Sequence, residues 1–224
     1  MAPELARSVG VGAGARAVAP LTPAVAAFGL TFGVLARDAG FGPVSTVVFS
    51  ATTFAGSAQF AATSVLSAGG TLAAAIAAAV MLNTRYAPIG ISVAPALHGP
   101  AWQRLLRAQL VVDESWAIGH LGGGRYDASR ILGAGLVLYP TWVLSTGAGS
   151  VAGDLLGDPA RLGLDAAFPA LFLALLAGQV RGRLGLGAAV LGAAIAIALA
   201  SIPSVPTGLP IVAAAVACLL GLRR

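Results

Sequence analysis

Leu72-Ala73-Ala74-Ala75-Ile76-Ala77-Ala78-Ala79-Val80-Met81-Leu82 runs without a polar side chain into Asn83-Thr84-Arg85, and Tyr86-Ala87-Pro88-Ile89-Gly90-Ile91 carries the apolar run on. Between Ala39 and Gln103, Arg85 is the only ionisable side chain apart from His98 and the phenol of Tyr86. A helix rises about 1.5 Å per residue against a hydrocarbon core of about 30 Å, so this stretch predicts a membrane span. A cation within it costs roughly 2.5 to 3.5 kcal/mol on the gentlest insertion scale. Arg85 therefore needs partners, and it marks a functional site.

The whole chain has the same character. Its 224 residues are 58% hydrophobic and 9% charged, and the mean hydropathy is +0.90. Soluble domains carry about 25% charged residues, so a water-soluble globule is excluded. The 13 basic side chains are all Arg, which together with the abundant Ala and Gly reflects a GC-rich genome rather than a nucleic-acid surface. No basic run with interleaved aromatics exists, and nucleic acid is set aside as a partner. Cys218 stands alone, so neither a disulfide within the chain nor a cysteine metal site is expected.

Charge-free windows predict spans over about 17–36, 43–68, 71–97, 131–151 and 166–180. The uncharged stretch 184–222 holds two more, turning at Pro203, Pro206 and Pro210. Residues 1–16 read as a flexible, uncleaved tail, and 17–224 as a single transmembrane domain. Residues 103–122 form an amphipathic connecting segment. It either lies at the interface, giving seven spans, or dips into the bundle with its carboxylates facing protein, giving eight. The expected fold is all-α: a polytopic membrane bundle of about seven helices (six to eight), broken near Gly56 and Arg85. Arg125, Arg130, Arg181 and Arg183 would face one side and Asp154, Asp158 and Asp165 the other. Gly29 and Gly33, four apart, offer a close-packing face.

Three polar constellations carry the chemistry. Phe54-Ala55-Gly56-Ser57-Ala58-Gln59-Phe60 sets a glutamine in mid-membrane beside two residues at which a helix can open. Gln59 either glues two helices together or lines a cavity with Ser57 and the backbone of Gly56. In Asn83-Thr84-Arg85, Pro88 removes the bond to the Thr84 carbonyl and predicts a break beside the guanidinium. Arg85 then binds a substrate carboxylate in a bidentate fork, pairs with Asp113 or Glu114, or snorkels to the interface. Asp113-Glu114-Ser115 with His120 is the acidic cluster, and on one helix Asp113 and His120 would share a face. These groups are either proton carriers or part of a solvated interfacial helix. No phosphate loop, zinc-protease motif or nucleophile elbow occurs, so no enzyme, cofactor or metal is expected.

Taken in order, these segments resemble the AzlC-type branched-chain amino acid permeases, the large subunit of branched-chain amino acid exporters. The likeness extends from about Pro20 to Leu176: Gly29 to Gly33, Phe54 to Phe60, Asn83-Thr84-Arg85, Asp113-Glu114-Ser115, and Gly163 to Leu173. The family's N-x-R motif is usually followed by His or a similar residue, whereas Tyr86 follows here. The resemblance implies a secondary transporter of the bacterial inner membrane exporting Val, Leu and Ile, with Met as a further candidate. It also implies a small AzlD-type membrane subunit as partner. On that reading Arg85, Asn83, Gln59, Ser57 and Gly56 bind substrate, and Asp113, Glu114 or His120 carries the coupling proton. The alternatives are a transporter of another small carboxylate, or a membrane scaffold subunit that moves nothing.

Overall fold

The computed structural model describes residues 10–156, 173, 180, 182–202, 204–205, 209–214 and 216–217. Helix α1 (Val11–Val18) passes through one 3-10 turn (Ala19–Leu21) into α2 (Thr22–Asp38), making a 28-residue rod. The flexible tail expected over 1–16 does not hold for 11–16, where the helix has already begun; residues 1–9 lie outside the described residues. Arg16 does not stop it, because its side chain is exposed and folds back onto the Gly12 carbonyl at 3.2 Å. Gly14, on the inner face, lies against the Arg130 carbonyl, where a Cβ would collide.

The predicted span over 43–68 is split into α3 (Pro43–Thr53) and α4 (Gly56–Ser67). The predicted span over 71–97 is split into α5 (Leu72–Asn83) and α6 (Tyr86–Val93). The connecting segment combines both expectations. Helix α7 (Ala101–Ala108) has no buried residue and carries exposed Trp102, Leu105 and Leu106. Helix α8 (Asp113–Gly119) turns inward and buries Ser115. A hairpin of β1 (His120–Gly122) and β2 (Arg125–Tyr126) follows, a small exception to the all-α expectation. Next comes α9 (Ala128–Leu156). Helices α10 (Gly182–Ala200) and α11 (Leu209–Ala214) complete the described elements. Among the described residues, Val11–Asp38, Leu72–Val93, Ala128–Ala152 and Gly182–Ala200 are each long and apolar enough to cross a membrane. The span predicted over 166–180 lies outside the described residues apart from Leu173 and Val180, as do Asp158, Asp165 and Arg181.

Helices α2 and α9 form the central pair. Gly33 packs on the Thr146 carbonyl with no room for a side chain, and Gly29 similarly meets Ser145. In lipid no hydrophobic effect draws helices together, so such backbone contact supplies the dispersion energy that does. Around this pair Phe32 is fully buried, edge-on to Phe60 at 5.5 Å and stacked on Trp142 at 6.0 Å.

The break between α3 and α4 is closed by side chains. Phe54 takes the left-handed conformation, φ 42° and ψ 47°, which costs an L-residue roughly 1 to 2 kcal/mol. The Ala55 N–H, which in a continuous helix would bond to Ala51, donates to Gln59 Oε1 at 3.3 Å. The freed Ala51 carbonyl accepts the Tyr139 hydroxyl at 2.8 Å and Gln109 Nε2 at 3.1 Å. Gln109 also reaches the Thr52 carbonyl at 3.1 Å. Where no water competes, these substitutes make an interrupted helix tolerable.

The second break is milder. Thr84 and Arg85 stay right-handed, and the chain tightens to three-residue bonding from the Thr84 N–H to Met81 and from the Ala87 N–H to Thr84. This corrects one expectation: the Thr84 carbonyl that Pro88 leaves is taken by Ala87 at 3.1 Å and is not an open acceptor.

Candidate functional site

The two breaks and the start of α8 converge on a cavity of about 140 Å³. Its polar wall is Gly56, Ser57, Arg85, Tyr86, Asp113 and Glu114; its apolar wall includes Val25, Phe28, Phe60, Leu138 and Trp142. At the roughly 30 Å³ that a water occupies in the liquid, this space is about that of four or five waters, the scale of a small metabolite.

Arg85 holds the centre of the polar wall. Its Nη2 lies 2.9 Å from Asp113 Oδ2 and donates to Ser57 Oγ at 2.8 Å. The guanidinium carbon sits 5.2 Å from the Tyr86 ring centroid. The Nε is buried and has no hydrogen-bond partner. The two side chains of the ion pair are 35% and 45% exposed, so protein does not enclose either of them. Of the alternatives for Arg85, the internal ion pair with Asp113 is the one this geometry contains.

Helix α4 begins at the cavity. Its first residues Gly56 and Ser57 line the space, and Ala55 offers no side-chain cap to their N–H groups. An uncapped helix N-terminus beside a guanidinium favours an anion. Gly56 is required by Trp142, whose Cη2 would stand 2.9 Å from any Cβ there.

The acidic residues are placed by Ser115. Its hydroxyl accepts the Val112 N–H at 2.8 Å and donates to the Leu110 carbonyl at 2.9 Å, fixing the entry to α8. Asp113 and Glu114 then occupy the first turn, where the helix dipole stabilises negative charge. Glu114 is accessible from the cavity yet surrounded by protein. That low-polarity setting pushes its carboxyl pKa up, Asp113 adds to the rise, and its own backbone N–H and Arg85 work against it.

The remaining predicted residues lie apart from this wall. Gln59 is fully buried and committed to protein: Nε2 donates to Ser50 Oγ at 2.8 Å, and Oε1 accepts Trp142 Nε1 at 3.0 Å as well as Ala55. Ser50 passes the chain on to Thr146 at 3.1 Å. Asn83 lines a neighbouring groove, and its Oδ1 is buried without a partner. His120 does not share a helix face with Asp113, which corrects that expectation. Helix α8 ends at Gly119, pressed against Ile131, and the chain leaves as a strand with His120 exposed. No cluster of three metal-ligating side chains occurs among the described residues.

Sequence reasoning did not single out Trp142, Leu138, Tyr139 or Gln109. The first two carry no polar signal inside an apolar helix, and the last two reach carbonyls far away in sequence.

Residues 20–156, from the turn before α2 to the end of α9, match the family model described as AzlC protein. The chain belongs to the AzlC family. The inner membrane protein YgaZ of Escherichia coli is 31% identical over 187 residues, covering 77% of this chain and 75% of that protein. An uncharacterized membrane protein of Archaeoglobus fulgidus is 32% identical over 186 residues, covering 80% of each. An uncharacterized membrane protein of Helicobacter pylori is 24% identical over 172 residues. No solved structure matches the chain. Every motif around the cavity falls within the segment matched to the AzlC family, and the chain is a polytopic helical membrane protein of the transporter-like AzlC type.

Proposed function

We propose that this AzlC protein exports branched-chain amino acids, Val, Leu and Ile with Met as a further candidate, across the bacterial inner membrane. It does so by proton coupling and together with a small AzlD-type membrane subunit. The observation that carries this reading is the division of the cavity into one charged wall and one apolar wall. Arg85, the start of α4 and Ser57 suit an α-carboxylate; Glu114 suits an α-ammonium; Phe28, Phe60, Leu138 and Trp142 suit an aliphatic side chain. Arg85 already holds a carboxylate, that of Asp113. Substrate that displaces Asp113 converts binding into a rearrangement of α8, and Glu114, which its surroundings favour as the neutral acid, gives up its proton to receive the ammonium.

The test is export from cells lacking the protein and fed a Val- or Met-containing dipeptide, with and without the gene restored. Restored export of Val, Leu or Ile is expected. Reconstituted vesicles offered a panel of amino acids and small carboxylates separate the alternatives. Flux of another carboxylate with none of any branched-chain amino acid would sink the proposal. A pure scaffold predicts that joint apolar replacement of Arg85, Asn83 and Gln59 leaves the cell unchanged.

A further inference from the structure

Beside the cavity, a larger groove of about 540 Å³ opens between α6 and α7. Two residues, Phe54 and Tyr86, line both spaces. Each sits at a helix break: Phe54 closes α3 in a left-handed conformation, and Tyr86 opens α6 directly after the tightened turn at Thr84 and Arg85. Phe54 is the one non-glycine residue with positive φ among the described residues. A bulky side chain held in that region is an outlier, and outliers of this kind gather at moving or functional positions. At a break, a small change in φ or ψ swings the ring without unwinding a helix.

The groove has its own polar fittings. Arg104 on α7 lines it and makes no ion pair among the described residues. Asn83 lines it with a buried carbonyl oxygen that no donor reaches. Arg104 offers a cation to the carboxylate of a zwitterion, and the Asn83 amide belongs to the same wall. Thr53 and Gln109 add two polar side chains, while Ile89, Val93, Leu97 and Leu105 are apolar.

We propose that the groove between α6 and α7 is the vestibule of the cavity, that Arg104 and Asn83 form an outer subsite for the amino acid in transit, and that Phe54 and Tyr86 are the gate between the two. This rests on the reading of the cavity as the substrate site. It gives Asn83 a place on the path rather than in the cavity.

The test uses the full-length protein with Cys218→Ser as background. Ala94→Cys puts a thiol in the groove only, and Leu138→Cys puts one in the cavity only. A membrane-impermeant thiol reagent is applied to cells and to inverted vesicles. From one side, Ala94→Cys is expected to label, labelling to abolish flux, and valine to slow it. Leu138→Cys is expected to resist the reagent until Phe54→Gly, which keeps the left-handed backbone, or Tyr86→Ala opens the gate and speeds labelling severalfold. Failure of Ala94→Cys to label from either side, or normal flux after labelling, overturns the vestibule. An unchanged Leu138→Cys rate in both gate variants overturns the gate. Arg85→Gln separates the two readings: normal flux there removes the substrate site itself, while lost flux with an unaffected labelled Ala94→Cys removes only the vestibule.

Discussion

Arg85 and Asp113 meet at 2.9 Å although they come from different elements, one the turn between α5 and α6, the other the first residue of α8. Both line the cavity, so a substrate carboxylate entering it meets the guanidinium beside the carboxylate it would replace.

Asp113→Asn removes the internal competitor and leaves the guanidinium to the substrate. Apparent substrate affinity is expected to rise while turnover falls, because release loses its counter-carboxylate. Vesicle flux read as KM and kcat separately checks this; unchanged KM would refute it.

Arg85→Lys keeps the charge and loses the planar fork. Substrate discrimination by that fork predicts a flux loss of about tenfold or more, at the scale of a charge-assisted bond worth about 1.5 to 3 kcal/mol. Arg85→Gln should lose all of it. Wild-type export by Arg85→Lys would show that bidentate recognition is wrong.

Glu114 carries the pH dependence. Its ordinary value is 4.5, and burial raises it in the folded protein. The fold thus favours the neutral acid. Stability from that preference is complete below pH 4.5 and drains away as pH rises through the raised folded value. Glu114→Gln mimics the neutral form at every pH. Its stability advantage over the unmodified protein is expected to be nil in acid and to grow on going toward neutrality. Melting curves across that range should diverge; a constant offset would count against the shift.

Trp142 sets the size of the apolar wall. Trp142→Leu enlarges the cavity and is expected to move preference toward larger side chains, with the Phe-to-Val flux ratio rising by about tenfold or more, as pocket changes of this size allow. Competition of labelled valine export by unlabelled amino acids reads it directly.

Gln59 and Tyr139 are expected to act on stability rather than on specificity. Gln59→Leu strands the buried Ala55 and Trp142 N–H groups and should cost about 2 to 4 kcal/mol. Tyr139→Phe leaves Gln109 on the Ala51 carbonyl and should cost about 1 kcal/mol. Equal losses for the two variants would contradict this account of the break.

Much of the architecture was legible because a bilayer punishes exceptions. Gly56-Ser57 and Pro88 are weak points in apolar helices, and both breaks lie beside them. Asp113 was one of the carboxylates that an intramembrane arginine had to find, and it is the one in contact. What stayed hidden depends on contacts without sequence spacing. Gln109 sits in an amphipathic stretch that gives no reason to point at α3, yet its amide caps two carbonyls there. Arg16 looked like a boundary because it is charged, but it faces outward and the helix continues beneath it. Gln59 suited a cavity in composition; only its three partners reveal that its amide is already spent.

The interrupted α3–α4 segment also bears on how the chain enters the membrane. Neither half is long enough to cross alone: 11 and 12 residues rise only about 16 to 18 Å at 1.5 Å each. The carbonyls left open at Ala51 and Thr52 are answered by Gln109 and Tyr139, residues that the ribosome delivers much later. During synthesis this segment has no complete set of partners until α9 has emerged. The break is thus a feature of the assembled bundle, completed by α9, rather than of the segment that carries it.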